Sequence, residues 1–186
     1  MIRTSRRVFV TGGMAAMGLL AGCGNGTRSA RGDVIDARVR NARTFMDGNI
    51  RGASDLESKS VGMLVMPLVT EAGFGIGGAY GEGALIIDGV TVDYYSTTQA
   101  SIGFQIGAQQ FAHTLFFMTP EALADFRGAD GWAVGADVKY AVPDRGGNIS
   151  AESTTSLAPV IALVYGQSGL IAGASLKGLK YTRIIR

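Results

Sequence analysis

The pattern of apolar and polar positions divides the chain into two short helical stretches followed by a long region of strands. Residues 33–47 have a helical period, and residues 54–60 are predicted as a second helix because Ser54 and Glu57 have the spacing of a capping box. One face of the first predicted helix carries Val34, Ile35, Val39, Ala42, Phe45 and Met46. The opposite face carries Asp36, Arg40, Arg43 and Asp47. We expect the apolar face to pack on the rest of the domain.

From residue 61 onward the period changes to two, which is typical of strands. The strands are predicted over 61–67, 73–87, 90–96, 100–109, 113–118 and 132–142, with two or three more within 158–184. Asp88 and Gly89 predict a hairpin turn, and the GQSG segment at 166–169 predicts another. One helix interrupts the strands at 119–128, with Thr119 as its N-cap and Pro120 as its first residue.

The order of these elements predicts an α+β fold. Two N-terminal helices precede a mainly antiparallel sheet with one inserted helix, and no regular alternation of strand and helix is present. The chain contains 28 glycines, many of them inside predicted strands, where glycine marks bulges, bends or close backbone approaches. We therefore expect a strongly curved, barrel-like sheet.

The first residues have the pattern of an export signal. Arg3, Arg6 and Arg7 precede an uncharged stretch at 8–21, which is too short and too rich in glycine for a stable membrane span. The SRRVFV segment is similar to a twin-arginine export motif, and LAGC at 20–23 resembles a bacterial lipobox. That resemblance implies a signal peptide over 1–22 and acylation of Cys23, for example by palmitate. An incidental or buried cysteine is the alternative.

Composition limits the classes of function. The full chain has a net charge of +2, but removal of 1–22 leaves 14 basic and 15 acidic residues, which does not favour nucleic-acid binding. A single cysteine allows no internal disulfide, and a single histidine excludes a His-rich metal site. The sequence therefore predicts no cofactor and no metal. We divide the chain into the signal at 1–22, an acylated tether at 23–32 and one domain at 33–186.

Two motifs could indicate chemistry. GFGIGG at 73–78 matches a dinucleotide-binding fingerprint, but a strand pattern follows it where that site needs a helix. His113 could act as a base, but it lies in the apolar run FAHTLFF, which favours a core histidine. The scattered acidic residues form no catalytic pair. We therefore expect no catalytic residues.

The basic residues near the predicted anchor suggest a membrane contact. Residues 24–51 contain six arginines against three aspartates. An amphipathic helix with arginines close to a bilayer can lie among the lipid headgroups, so Arg38, Arg40 and Arg43 are the candidate headgroup ligands. The alternative is an ordinary packed helix with solvated arginines.

Four blocks of the sequence resemble the SYLF family of lipid-binding domains, especially its bacterial lipoproteins. They are SKSVGMLVMPLVTEAGFGIGGAYGEGALI, YYSTTQASIGFQIGAQ, LFFMTPEALADFRGADGWAVGADVKYAV and GLIAGASLKGLKYTRI, in a resemblance that runs from about 38 to 186. Eukaryotic members bind phosphoinositides and in some cases actin. The resemblance implies binding of anionic phospholipid headgroups, a curved antiparallel sheet and a membrane role for the N-terminal helix.

The leading hypothesis is a non-enzymatic, lipid-anchored protein of the cell envelope that faces the periplasm and binds phospholipid. Gly24 after the cysteine favours the outer membrane over the inner. The second hypothesis is an adaptor whose curved sheet binds another envelope protein. The third is a lipid hydrolase, which would require His113.

Overall fold

The computed structural model describes residues 29–135, 138–144, 146–149, 158–169 and 176–186. The predicted signal peptide, the candidate acylation site Cys23 and most of the predicted tether lie outside these residues. Among the described residues the elements are α1 Ala30–Asn49, α2 Ala53–Lys59, β1 Gly62–Ile87, β2 Val90–Phe117, α3 Pro120–Gly128, β3 Trp132–Ala133, β4 Val138–Ala141, β5 Val160–Gly169 and β6 Lys180–Ile184. None of these helices is long and apolar enough to cross a membrane.

The sheet is built around the hairpin of β1 and β2. Asp88 and Gly89 connect the strands with φ angles of 50° and 76°, as a type I′ turn requires, so the predicted hairpin turn is confirmed. The sequence divides each strand into shorter pieces, whereas the structure joins them into strands of 26 and 28 residues. The pairing register shifts at several points, including one between Met66 and Val69 around Pro67. These shifts accommodate the residues that interrupt the alternation of apolar and polar positions.

The other strands pair along the second edge of β2. Residues 94–98 of β2 pair with β6, and residues 109–117 pair with β5. β3 extends the sheet beyond β6, while β4 runs parallel to β5, unlike the antiparallel pairs of the other described strands. The sheet curls into a half-barrel, which confirms the predicted α+β class with a curved, mainly antiparallel sheet. The strand predicted at 132–142 is instead two short strands at different edges.

Glycines allow β1 to bend back on itself. A Cβ atom at Gly81 would lie 2.7 Å from the carbonyl oxygen of Leu68, and one at Gly83 would overlap the carbonyl oxygen of Val65. No side chain fits in such a space, so the two halves of β1 approach this closely only because glycine occupies both positions. The expectation that strand glycines mark close backbone approaches is confirmed here.

The GQSG segment does not form the predicted turn. β5 continues through it to Gly169, and the register shift between Gln110 and Ala112 of β2 accommodates it as a bulge. Gly166 has a φ angle of 62°, a left-handed conformation that glycine adopts without strain. The GQSG segment therefore forms a bulge and not a turn, because β5 pairs with β2 on both sides of it.

Two apolar cores lie on opposite faces of the sheet. The first is enclosed between the sheet and helices α1 and α2 and includes Met46, Leu56 and Phe116. The second lies on the other face of the sheet and includes Phe117, Phe126 and Tyr181. Phe126 carries α3 onto this second core, with its ring centroid 4.8 Å from that of Phe117. Helix α1 is thus held against the sheet on one side and is open to solvent on the other.

Candidate functional site

Helix α1 begins with a capped N-terminus. The Ser29 side chain accepts a hydrogen bond of 3.1 Å from the backbone N–H of Gly32, and Asp33 in the first turn complements the helix dipole. The helix starts at Ala30 rather than at the predicted Asp33, because Ser29 provides the cap. Its buried stripe consists of Gly32, Ile35, Val39, Ala42 and Met46.

One flank of α1 is fixed by polar contacts. Asp36 accepts hydrogen bonds from Thr91 at 3.0 Å and from the Tyr94 hydroxyl at 2.9 Å, which join the helix to β2. Burial of Tyr94 and its bond to Asp36 raise the pKa of that phenol to about 12. Farther along the helix, Arg43 forms an ion pair with Glu57 of α2. These contacts leave the opposite flank exposed.

The exposed flank is apolar and basic. It carries Arg31, Val34, Arg38 and Phe45, which we call the α1 stripe. Their spacings of three, four and seven residues align them along one side of the helix. Val34 is 51% exposed and Phe45 is 47% exposed, so this flank of the helix presents apolar surface to water beside its arginines. The sequence pattern was wrong in placing both on the buried face, because each lies at the edge of the apolar arc.

The three predicted headgroup ligands do not lie together. Arg38 is exposed on the α1 stripe, whereas Arg40, two residues later, lies roughly 200° around the helix axis. Arg40 shares its flank with Asp36 and Asp47 by helical spacing. In the described part of the chain, neither Arg38 nor Arg40 takes part in an ion pair.

Arg43 has a structural partner. Its side chain is 27% exposed and that of Glu57 is 26% exposed, so the pair is largely shielded from solvent. Burial, followed by the nearby Glu57 carboxylate, raises the pKa of Asp47 despite the attraction of Arg43. Arg43 would have to leave its partner to bind a headgroup, so Arg38 is the best placed of the three.

A cluster around Glu82 lies near the start of the α1 stripe. Glu82 accepts hydrogen bonds from Tyr80 at 2.6 Å and from Arg186 at 2.7 Å, and Arg31 lies 3.7 Å from the same oxygen. Burial disfavours the charged carboxylate, but these donors outweigh it and hold the pKa of Glu82 below its usual range. Arg31 remains largely exposed and adds a second positive charge to the stripe.

His113 is a core residue. Its side chain is fully buried, and its Nε2 atom lies 2.7 Å from the Tyr181 hydroxyl. Burial lowers the pKa of the imidazole to about 3, so it is neutral at physiological pH. A substrate in solvent has no access to this ring, which confirms the interpretation of His113 as part of the core. Among the described residues, no three His, Cys, Asp or Glu side chains are grouped to hold a metal ion.

Comparison with known proteins supports the resemblance. Residues 98–183 match the model of the Ysc84 family, described as a Las17-binding protein actin regulator. The matched segment begins in β2 and ends in β6, so α1 lies outside it. No curated protein matches the chain. Residues 98–183 of this chain are therefore similar to the Ysc84, or SYLF, family, which is associated with lipid binding.

Proposed function

We propose that this protein binds the surface of membranes containing anionic phospholipid and that the α1 stripe is the contact. The observation that carries the proposal is the exposure of Val34 and Phe45 beside Arg31 and Arg38 on one flank. Apolar side chains of this kind enter the boundary between headgroups and acyl chains, while arginine heads reach the phosphates. The protein acts as a binding domain without catalysis.

Vesicle co-sedimentation tests the proposed binding. The full chain carrying Cys23→Ser, which removes the predicted acylation site, is mixed with phosphatidylglycerol vesicles or phosphatidylcholine vesicles at low and high salt. We expect binding to the anionic vesicles that weakens with salt, because screening reduces attraction between exposed charges. Equal binding to both vesicle types at every salt concentration would overturn the electrostatic part of the proposal.

We also propose that Cys23 carries the lipid anchor and holds the domain at the cell envelope, facing the periplasm. Two or more acyl signals hold a protein on a membrane durably, whereas a single chain binds reversibly. Metabolic labelling with an alkyne analogue of palmitate should label the wild-type chain and leave Cys23→Ser unlabelled. Labelling that persists in Cys23→Ser would show that another residue is acylated.

Binding of another envelope protein is the second candidate function. The description of the matched family names a protein-binding activity, which supports this alternative. A chain that binds neither vesicle type at any salt concentration would favour it, since the anchor alone would then provide the membrane attachment.

A further inference from the structure

The residues around the end of β6 combine positive charge with exposed apolar surface. We call Arg183, Ile185 and Arg186 the β6 tip. Ile185 is 73% exposed, more than any other large apolar side chain of the described residues, and the Arg183 side chain is 59% exposed. Among the described strands, β3 pairs with β6 at Lys180 and Tyr181, and no strand pairs with the same edge beyond them. The tip therefore presents an isoleucine and an arginine to solvent, as the α1 stripe presents its valine and arginines.

Glu82 joins the β6 tip to the α1 stripe. One of its carboxylate oxygens lies 2.7 Å from a guanidinium nitrogen of Arg186 and 3.7 Å from one of Arg31, which belongs to the stripe. The Arg186 side chain is largely shielded from solvent and holds the carboxylate at hydrogen-bond distance, whereas the Arg31 side chain is 72% exposed. One carboxylate balances only one of the two arginines. A positive charge is therefore left uncompensated where the tip meets the start of α1.

Asp93 has a similar arrangement beside α3. Arg127 of α3 forms an ion pair with Asp93 at 3.0 Å, and Arg183 lies 3.8 Å from the second carboxylate oxygen. A separation of 3.8 Å is too long for a hydrogen bond, so the exposed guanidinium of Arg183 can donate to another acceptor. Here too, two arginines share one carboxylate. The two clusters together leave an excess of two positive charges around the tip.

We propose that the β6 tip is a second membrane contact, in which Arg183 binds a phosphate of an anionic phospholipid and Ile185 enters the boundary between headgroups and acyl chains. The excess positive charge favours an anionic surface over a neutral one, and the exposed isoleucine favours a bilayer over a soluble anion. The inference rests on the proposed membrane binding and adds to it. A contact along α1 alone would let the domain roll about the helix axis, and a second contact beside it fixes the orientation.

Site-specific fluorescence on vesicles tests the β6 tip. The chain contains one cysteine, so Cys23→Ser provides a background for single added cysteines. Ile185→Cys, Val34→Cys and Val142→Cys are labelled with NBD, a dye whose emission rises when it leaves water for lipid, and mixed with phosphatidylglycerol vesicles. Val142 is the matched control, because it is 58% exposed but follows β4, at the far end of the strand order from β6. We expect emission to rise about twofold or more at positions 185 and 34 and to change little at position 142.

Removal of one charge tests the arginine of the tip. Arg183→Gln should weaken co-sedimentation of the Cys23→Ser chain with phosphatidylglycerol vesicles by roughly fivefold at low salt, because one basic residue near an anionic surface is lost. The fold should be kept, since Arg127 remains the close partner of Asp93. Arg51→Gln is the matched control, because Arg51 is also exposed but follows the opposite end of α1. Equal binding by Arg183→Gln and Arg51→Gln would contradict a headgroup contact at the tip.

The fluorescence outcomes separate the β6 tip from the α1 stripe. A rise at position 34 without a rise at position 185 overturns the tip and leaves the stripe standing. A rise at position 185 alone overturns the stripe and supports the tip. Equal rises at positions 185 and 142 overturn the tip, because the domain would then meet the membrane without a preferred face. No rise at any of the three positions overturns both contacts.

Discussion

Arg38 and Arg40 lie on opposite flanks of the same helix, although one residue separates them in the chain. Arg38 lies beside the exposed side chains of Val34 and Phe45, whereas Arg40 lies on the flank that carries Asp36 and Asp47. The two residues carry the same charge, lie on the same helix and are both exposed to solvent. They therefore form a matched pair for testing which flank contacts a membrane.

Reversal of charge should weaken membrane binding at Arg38 and leave it nearly unchanged at Arg40. Arg38→Glu removes a headgroup ligand and adds repulsion, and juxtamembrane basic residues contribute about 1 kcal/mol each, so we expect a loss of roughly fivefold to tenfold or more. Co-sedimentation with phosphatidylglycerol vesicles at low salt, in the Cys23→Ser chain, measures the difference. Equal losses for Arg38→Glu and Arg40→Glu would indicate attraction by net charge alone and contradict the α1 stripe.

Val34→Ser should reduce vesicle binding without a loss of fold. Val34 is half exposed, so the substitution removes little from the apolar core, but it removes an apolar group that would enter the bilayer interface. We expect binding to fall by a few-fold and to fall equally at low and high salt, because burial of apolar surface is not screened. Val90→Ser, at the exposed hairpin, is the control. A Val34→Ser chain that binds as well as the control would exclude Val34 from the contact.

Gly83 should not tolerate alanine. A Cβ atom there would overlap the carbonyl oxygen of Val65 and force the two halves of β1 apart, so we expect Gly83→Ala to destabilise the fold by about 1–3 kcal/mol. Gly48 of α1 has nothing within 4 Å of an added Cβ, and Gly48→Ala should be neutral or stabilising by up to about 1 kcal/mol. Urea denaturation measures both. A neutral Gly83→Ala would contradict the close approach within β1.

Burial of His113 should make the protein less stable as the pH falls. The native pKa of about 3 lies below the ordinary value of 6.5. Between these two pH values the imidazole is protonated in the unfolded chain and neutral in the native chain. Stability from this group is complete above pH 6.5 and falls by up to about 1.4 kcal/mol per unit as the pH drops toward 3.

Comparison with His113→Gln isolates this effect, because the carboxylates titrate in both proteins. Glutamine loses part of the packing but does not titrate, so the wild-type advantage in free energy of unfolding should shrink between pH 7 and pH 5. Urea denaturation over this range measures the difference. A gap that stays constant with pH would show that protonation of His113 is not what destabilises the wild type.

Local signals in the sequence were sufficient for several elements. Asp88 and Gly89 specify a two-residue hairpin turn because both positions require a positive φ, and Thr119 with Pro120 specifies the start of α3. These features depend on a few adjacent residues. The curvature of the sheet was also predictable, because glycines within strands have few other uses. The SYLF resemblance came from ordered blocks of sequence and is matched over 98–183.

The candidate site was predictable only in part. The sequence identified the helix and named Arg38, but it grouped Arg38 with Arg40 and Arg43, because helical periodicity gives angles around an axis and not the neighbours of each side chain. Pairing of Arg43 with Glu57 requires α2 to lie beside α1, which a tertiary contact decides. The β6 tip likewise lies beside α1 through ion pairs between residues that are distant in the chain.

The sequence by itself determined the order of helices and strands, the hairpin turn and the similarity of residues 98–183 to the Ysc84 family, because those depend on neighbouring residues and on the order of motifs along the chain. The tertiary structure decided which apolar residues of α1 are covered. The sheet covers a stripe centred on Val39, and this width leaves Val34 and Phe45 in solvent. It also decided that GQSG forms a bulge, since continued hydrogen bonding to β2 is worth more than the turn that the residues would form alone.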